Sequence, residues 1–161
     1  MSRIAPCLWF DGQAEEAASF YTSLFPDSRI DNISRAPADN PSTAAGQVLT
    51  VEFTLSGQRY VGLNGGPDLP FTEAVSFQID CADQAEVDRY WDALIEGGGS
   101  HGPCGWLKDR FGLSWQVIPK QLGDYLGGPD HDGAARAMQA MLQMQKLDIV
   151  KLRAAYEGVP A

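Results

Sequence analysis

The chain has 161 residues and sets 12 Lys and Arg against 21 Asp and Glu, a formal charge of −9. That acidic surplus repels polyphosphate and argues against general nucleic-acid binding. A hydrophobic share of 44% with 20% charged residues excludes a disordered chain, and the length suits one ordinary domain or two very small modules sharing a core.

Ile4 to Phe10 is a short apolar run rich in strand formers. Asp11 stands where a helix N-cap would, followed by Gln13, Glu15 and Glu16 near the positive helix end. Ala14, Ala17, Ala18, Tyr21, Leu24 and Phe25 recur at helical spacing, and Pro26 stops the helix. Ser28 to Arg35 reads as a strand, and residues 36–46, punctuated by Pro37, Pro41 and Gly46, as a loop. Gln47 to Leu55 alternates, with Leu49, Val51, Phe53 and Leu55 on one side and Thr50, Glu52 and Thr54 on the other. Ser56-Gly57-Gln58 reads as a hairpin turn, and Arg59 to Asn64 as the returning strand.

The pattern then restarts. Ala74 to Asp80 is a strand with Val75, Phe77 and Ile79 on one face. Asp83 and Glu86 have capping-box spacing, Val87, Tyr90, Trp91, Leu94 and Ile95 form an apolar stripe, and Gly97-Gly98-Gly99 ends the helix. Cys104 to Lys108 and Leu113 to Ile118 flank a turn at 109–112. Shifting the second helix back by 70 positions lays Val87, Trp91, Leu94 and Ile95 over Ala17, Tyr21, Leu24 and Phe25. One strand–helix–strands unit is written twice. Beyond it, Pro129 to Lys146 and Asp148 to Gly158 read as two helices that pack on the chain or on a partner, with methionines suited to an adaptable contact.

The three cysteines, Cys7, Cys81 and Cys104, are odd in number and carry no C-x-x-C, so reduced thiols and a cytoplasmic setting are expected. Cys7 reads as a small core residue on its strand, and Cys104 as the thiol to watch beside Trp106. The first six residues lack a signal-peptide run, and no stretch approaches the roughly 18 apolar residues of a membrane helix. His101 and His131 lie in loop-like sequence without zinc-ligand spacing and read as exposed. No G-x-S-x-G elbow occurs, and neither glycine cluster, 65–66 or 97–99, joins a strand to a helix as a nucleotide-binding turn does.

The order β-α-β-β-β twice over resembles the vicinal oxygen chelate superfamily, the glyoxalase, bleomycin-resistance and dioxygenase group. The wording is similar to its PhnB-like branch, labelled 3-demethylubiquinone-9 3-methyltransferase. The matching pieces are residues 6–17 (PCLWFDGQAEEA), Phe20-Tyr21 to Phe25-Pro26-Asp27-Ser28, residues 62–67 (GLNGGP), and Gly105-Trp106-Leu107-Lys108-Asp109 to Trp115-Gln116. The implied fold is α+β: duplicated βαβββ modules, about 3–66 and 73–119, forming one curled mixed sheet, with a helical extension over 120–161. The resemblance also implies a homodimer. Metal-dependent relatives hold their ion through His or Glu on the first and last strands of each module. The positions here are Pro6 or a neighbour, Gly62, Ala74 and Gln116, which offer no hard anionic donor set, so no metal or other cofactor is expected.

If Val51, Phe53, Val61, Leu63, Phe77, Ile79, Trp115 and Val117 face the helices, the opposite faces carry Thr50, Glu52, Thr54, Asn64, Ser76, Gln78, Ser114 and Gln116, with Phe10 and Trp106 adding aromatic surface. Thr50, Asn64, Ser76, Gln78, Trp106, Ser114 and Gln116 are therefore the candidate ligand-binding residues, and Glu52, if dehydrated, the candidate general base. These polar groups either bind a small organic molecule or pair with one another and with buried water. The leading expectation is metal-independent binding of such a molecule. The alternatives are an enzyme using Glu52, and methyl transfer as the branch label has it.

Overall fold

The computed structural model describes residues 3–160. The chain divides into two compact units, Met1–Phe71 and Thr72–Ala161. The first contains β1 (Cys7–Phe10), α1 (Ala14–Leu24), β2 (Arg29–Arg35), β3 (Val48–Leu55) and β4 (Gln58–Asn64). The second contains β5 (Ser76–Cys81), α2 (Gln84–Ala93), β6 (Ser100–His101), β7 (Trp106–Lys108), β8 (Ser114–Pro119), α3 (Gln121–Leu126), α4 (His131–Leu142) and α5 (Ile149–Glu157). Each unit holds a four-stranded mixed sheet, of order β1-β4-β3-β2 in one and β5-β8-β7-β6 in the other. The two orders are the same topology displaced along the chain, with one parallel pair at an edge, β1 with β4 or β5 with β8, and antiparallel pairs across the rest of each sheet.

In the first unit α1 buries Ala14, Ala17, Ala18 and Tyr21. Its small residues let the helix lie close to the sheet: a Cβ added at Gly62 would stand 3.2 Å from the Ala14 methyl. Tyr21 meets Phe53, which stacks on Tyr60 at 5.5 Å. Complete burial of Phe53 and Tyr21 is worth about 1.5–3 kcal/mol apiece. Phe25, fixed in an extended conformation before Pro26, ends α1.

The start of α1 departs from the expectation. Asp11 does not cap it: Gln13 holds the cap position without a side-chain bond, and Asn64 Oδ1 accepts from the Ala14 amide at 2.9 Å. The cap is supplied from β4, fifty residues away in the chain. In α2 the predicted capping arrangement is present, with Glu86 N donating to Asp83 Oδ1 at 2.9 Å. The Glu86 carboxylate reaches back to Ala82 N, one residue before the cap.

The β3–β4 hairpin corrects the face assignment of β4. Leu55 pairs with Gln58, so the turn holds two residues, not the three expected. A one-residue change in register reverses the strand's faces. Tyr60, Gly62 and Asn64 therefore lie with Phe53 and Val51 on the α1 side, while Val61 and Leu63 pair with Glu52 and Thr50 on the opposite face. Phe10 is likewise on the α1 side, buried and edge-on to Phe71 at 5.4 Å, and Trp9 pairs with Leu63 on the open face. Cys7 is exposed rather than a core residue. The indole of Trp9 occupies the space a Gly65 side chain would need, with 2.2 Å left for a Cβ, and its Nε1 donates to Gly66 O at 2.8 Å.

In the second unit Val87, Tyr90 and Trp91 are the buried face of α2, and Trp115 and Val117 are buried on β8. The turn between β7 and β8 is organised by the buried Asp109 carboxylate. It accepts from Phe111 N and Leu113 N through Oδ1 and from Trp115 Nε1 through Oδ2, all within 3.1 Å. The C-terminal helices belong to this unit. Leu122, Leu147 and Leu152 form a cluster packed by Ile118, Tyr125, Leu126, Met141 and Met144. The segment joining α4 to α5 is tied to α2 by Gln84, which donates to Leu147 O at 3.0 Å and accepts from Ile149 N at 2.9 Å. A Lys146–Asp88 ion pair of 2.9 Å lies alongside.

Candidate functional site

Five of the predicted ligand-binding residues converge on the β5-β8-β7 sheet. Ser76 pairs with Ser114, Gln78 with Gln116, and Trp106 with Gln116, so all five share the face opposite Trp115 and Val117. Lys108, paired with Ser114, shares that face too. Gln116 Nε2 donates to Ser76 Oγ at 2.9 Å, and Gln78 Nε2 donates to Asp80 Oδ1 at 2.9 Å. Both amide nitrogens thus have protein partners already.

Ser114 differs. It is only 1% exposed, and its Oγ has no hydrogen-bond partner. Leaving a hydroxyl buried and unbonded costs about 1–3 kcal/mol, so a stable fold gains when something else meets it. Ser114 borders a cavity of about 530 Å³, lined also by Glu73, His101, Cys104, Trp106 and Lys108. That volume falls within the usual range for small-molecule sites. A neighbouring hollow of about 450 Å³ lies between Gln78, Gln116 and Ile118 on the sheet and Leu122 and Leu126 on α3.

The cavity wall is built by short-range rules. Cys104 and Gly105 are successive left-handed residues, at φ 57° and 82°, a conformation costing Cys104 about 1 kcal/mol. Their amides donate to Met144 O and Gln145 O at 2.8 Å each, so the α4–α5 segment holds the bend in place. His101 is not a loose loop residue: it lies on β6, its ring stacks on Trp91 at 4.3 Å, and its Nε2 is 3.2 Å from Trp91 O. A carbonyl only accepts, so Nε2 carries the proton. At the rim Lys108 Nζ pairs with the Glu73 carboxylate, which the ammonium holds below the usual carboxylate range. Glu73, His101 and Lys108 were not among the sequence candidates. Lys108 was within reach of the argument, since it lies two residues from Trp106 and hence on the same side of its strand.

The first unit supplies less than expected. Thr50 and Glu52 lie on the face away from α1, but Asn64 does not: it is 3% exposed, on the α1 side, and its amide is spent on Ala14 N and Val48 O. Its expected place among ligand-facing residues is corrected to a structural one. Glu52 is not dehydrated. Some 39% of its side chain is exposed, and Oε1 accepts from Arg59 Nη2 at 2.9 Å, so the premise for a general base is missing.

Among the described residues no three His, Cys, Asp or Glu side chains gather as a metal site would require. Of the positions carried over from metal-binding relatives, Gly62 faces α1 and the outward residues beside it are Cys7 and Val61, Ala74 has no donor, and Gln116 is bonded to Ser76. A hard divalent cation is not matched by this set. The three cysteines are free thiols, and burial with nearby carboxylates pushes Cys81 up to about 12.

A family model described as 3-demethylubiquinone-9 3-methyltransferase matches residues 2–118. The chain is similar to a solved PhnB protein from Bacillus cereus, at 34% identity over 73% of this chain and 99% of that one, with a TM-score of 0.64. A Pseudomonas aeruginosa protein shares the fold at 23% identity over 74% and 98% of the two chains, TM-score 0.60. So does the fosfomycin resistance protein FosX from Mesorhizobium loti, at 15% identity over 78% and 97%, TM-score 0.55. No curated protein matches the chain.

Proposed function

This chain belongs to the PhnB-like, 3-demethylubiquinone-9 3-methyltransferase family of the vicinal oxygen chelate superfamily, and from that premise we propose that it binds a small organic molecule without a metal. The site is the cavity beside Ser114, with Trp106 as its aromatic wall and Gln116 and Ser76 on the adjoining sheet. The observation that carries this reading is the buried Ser114 hydroxyl without a partner. A ligand oxygen or nitrogen in the cavity would complete its bonding, and displacing weakly held water from the carbon-rich wall would add affinity. Metal independence is supported by the donor set, in which Gln116 is committed to Ser76 and Ala74 carries nothing.

Methyl transfer is no part of the proposal. Gly97 to Gly99 follow α2, and Gly65 and Gly66 accommodate Trp9, so neither cluster is a strand-to-helix turn of the nucleotide-binding kind. A homodimer and a cytoplasmic setting complete the reading. The first has support in the exposed Met138 and Leu142, one turn apart on α4, and the second in the three free thiols.

Native mass spectrometry of protein purified without chelator, followed by elemental analysis, tests the binding, the metal independence and the dimer together. The expected result is a metal-free dimer, with any copurified organic mass lost in Ser114→Val. One tightly held divalent ion per chain would overturn it and make metal chemistry the leading account.

A further inference from the structure

We infer that the Ser114 cavity takes a compact aromatic carboxylate, and that Glu73 occupies the carboxylate's position when the site is free. This rests on the binding reading above and adds the ligand class. Lys108 and Ser114 are directly paired on antiparallel strands and face the same side, which places their Cβ atoms about 4.5–5.5 Å apart. A donor hydroxyl without a partner thus shares a sheet face with the Lys108 side chain, whose ammonium lies at the rim of the same cavity, a pair suited to the two oxygens of one carboxylate. Trp106, two residues from Lys108 on the same strand face, offers a flat indole for a ring attached to that carboxylate.

Lys108 is not free to begin with, and its partner is the informative part. Glu73 lies before β5, outside any helix or strand, and 61% of its side chain is exposed, as is 44% of that of Lys108. An ion pair so open to water holds weakly. It is therefore an exchangeable contact: an incoming carboxylate that also gains the Ser114 hydroxyl and the Trp106 face displaces that of Glu73. The rim carboxylate acts as an internal competitor that rejects neutral or weakly anionic molecules unable to replace it.

The test uses 2-naphthoate and its neutral counterpart 2-naphthamide, titrated into the full chain and followed by the indole N–H resonance of Trp106, assigned with Trp106→Phe. Naphthoate is expected to bind about tenfold more tightly than the amide. Glu73→Gln is expected to tighten naphthoate about two- to fivefold and leave the amide unchanged, and Lys108→Met to erase the preference. Both variant sites are exposed, so an unchanged melting temperature certifies folding. Equal binding of the two probes, or a Glu73→Gln variant without effect on naphthoate, overturns the carboxylate assignment while the binding site stands. No shift of Trp106 with either probe at millimolar concentration overturns the site itself.

Discussion

Asn64 and Ser114 both sit buried on central strands and carry side chains that read as polar candidates, yet the fold uses them in opposite ways. The Asn64 amide joins the first turn of α1 to β3, accepting from Ala14 N and donating to Val48 O, each at 2.9 Å. Asn64→Ala removes a cap and leaves two backbone groups unbonded, so a loss of about 2–3 kcal/mol is expected in urea unfolding. A loss below about 0.5 kcal/mol would mean water replaces the amide at no cost. Ser114 has no such internal duty, so its replacement by Ala should spare stability and register in binding instead. Glu52 belongs to neither class, since an exposed pair with Arg59 is worth little to the fold.

Among the elements, the β7–β8 hairpin carries the residues of the proposed site, and its turn is held by one carboxylate. Asp109 accepts three hydrogen bonds, among them that of the buried Trp115 indole. Asp109→Asn keeps an acceptor for the turn amides but turns an N–H₂ toward Trp115 Nε1, donor against donor. A destabilisation of about 2–4 kcal/mol is expected, with a shift in tryptophan emission from loss of that bond. Unchanged stability and emission would show that the indole bond is dispensable. Because Lys108 and Ser114 flank this turn, the same substitution should also disperse the pair that faces the cavity. The α4–α5 segment is the second support, since its carbonyls hold Cys104 and Gly105 in their left-handed bend.

Across the whole molecule, acid should act on the second unit first at its C-terminal helices. Lys146, then the Gln84 amide, holds the Asp88 carboxyl below its ordinary value of 3.8. The Gly133 amide, then Arg136, does the same for Asp130. A lowered carboxyl contributes stability that is present above its ordinary value and is lost as pH falls through the folded one. The protection factors of α4 and α5 amides, taken against the unfolded chain at the same pH, should therefore fall below about pH 4, before those of β5 and β8. Equal protection of helices and sheet down to global unfolding would show that these pairs contribute nothing local. Among the described residues no helix is long and apolar enough to cross a membrane; Leu122, Leu147 and Leu152, with Met141 and Met144 against them, pack within the unit, while Met138 and Leu142 stay exposed on α4.

The repeat, the order of elements in its first copy and the family were legible because they rest on periodicity and local wording, whereas the short β6 and α3 were not: the stripe Val87, Tyr90, Trp91 and Leu94 buries as its spacing requires, and Asp83 caps α2. The sharing of one face by Ser76, Gln78, Ser114 and Gln116 was legible for the same reason. Long-range register was not. Whether the β3–β4 turn holds two residues or three decides which side Asn64 faces, and a flexible turn sequence leaves that choice to the fit of Gly62 against Ala14. The cap of α1 comes from a strand fifty residues away. The Lys108–Glu73 pair joins groups 35 positions apart. Side-chain alternation is written residue by residue, but which strand pairs with which, and what stays unbonded between them, is decided only when the sheet closes on its helices.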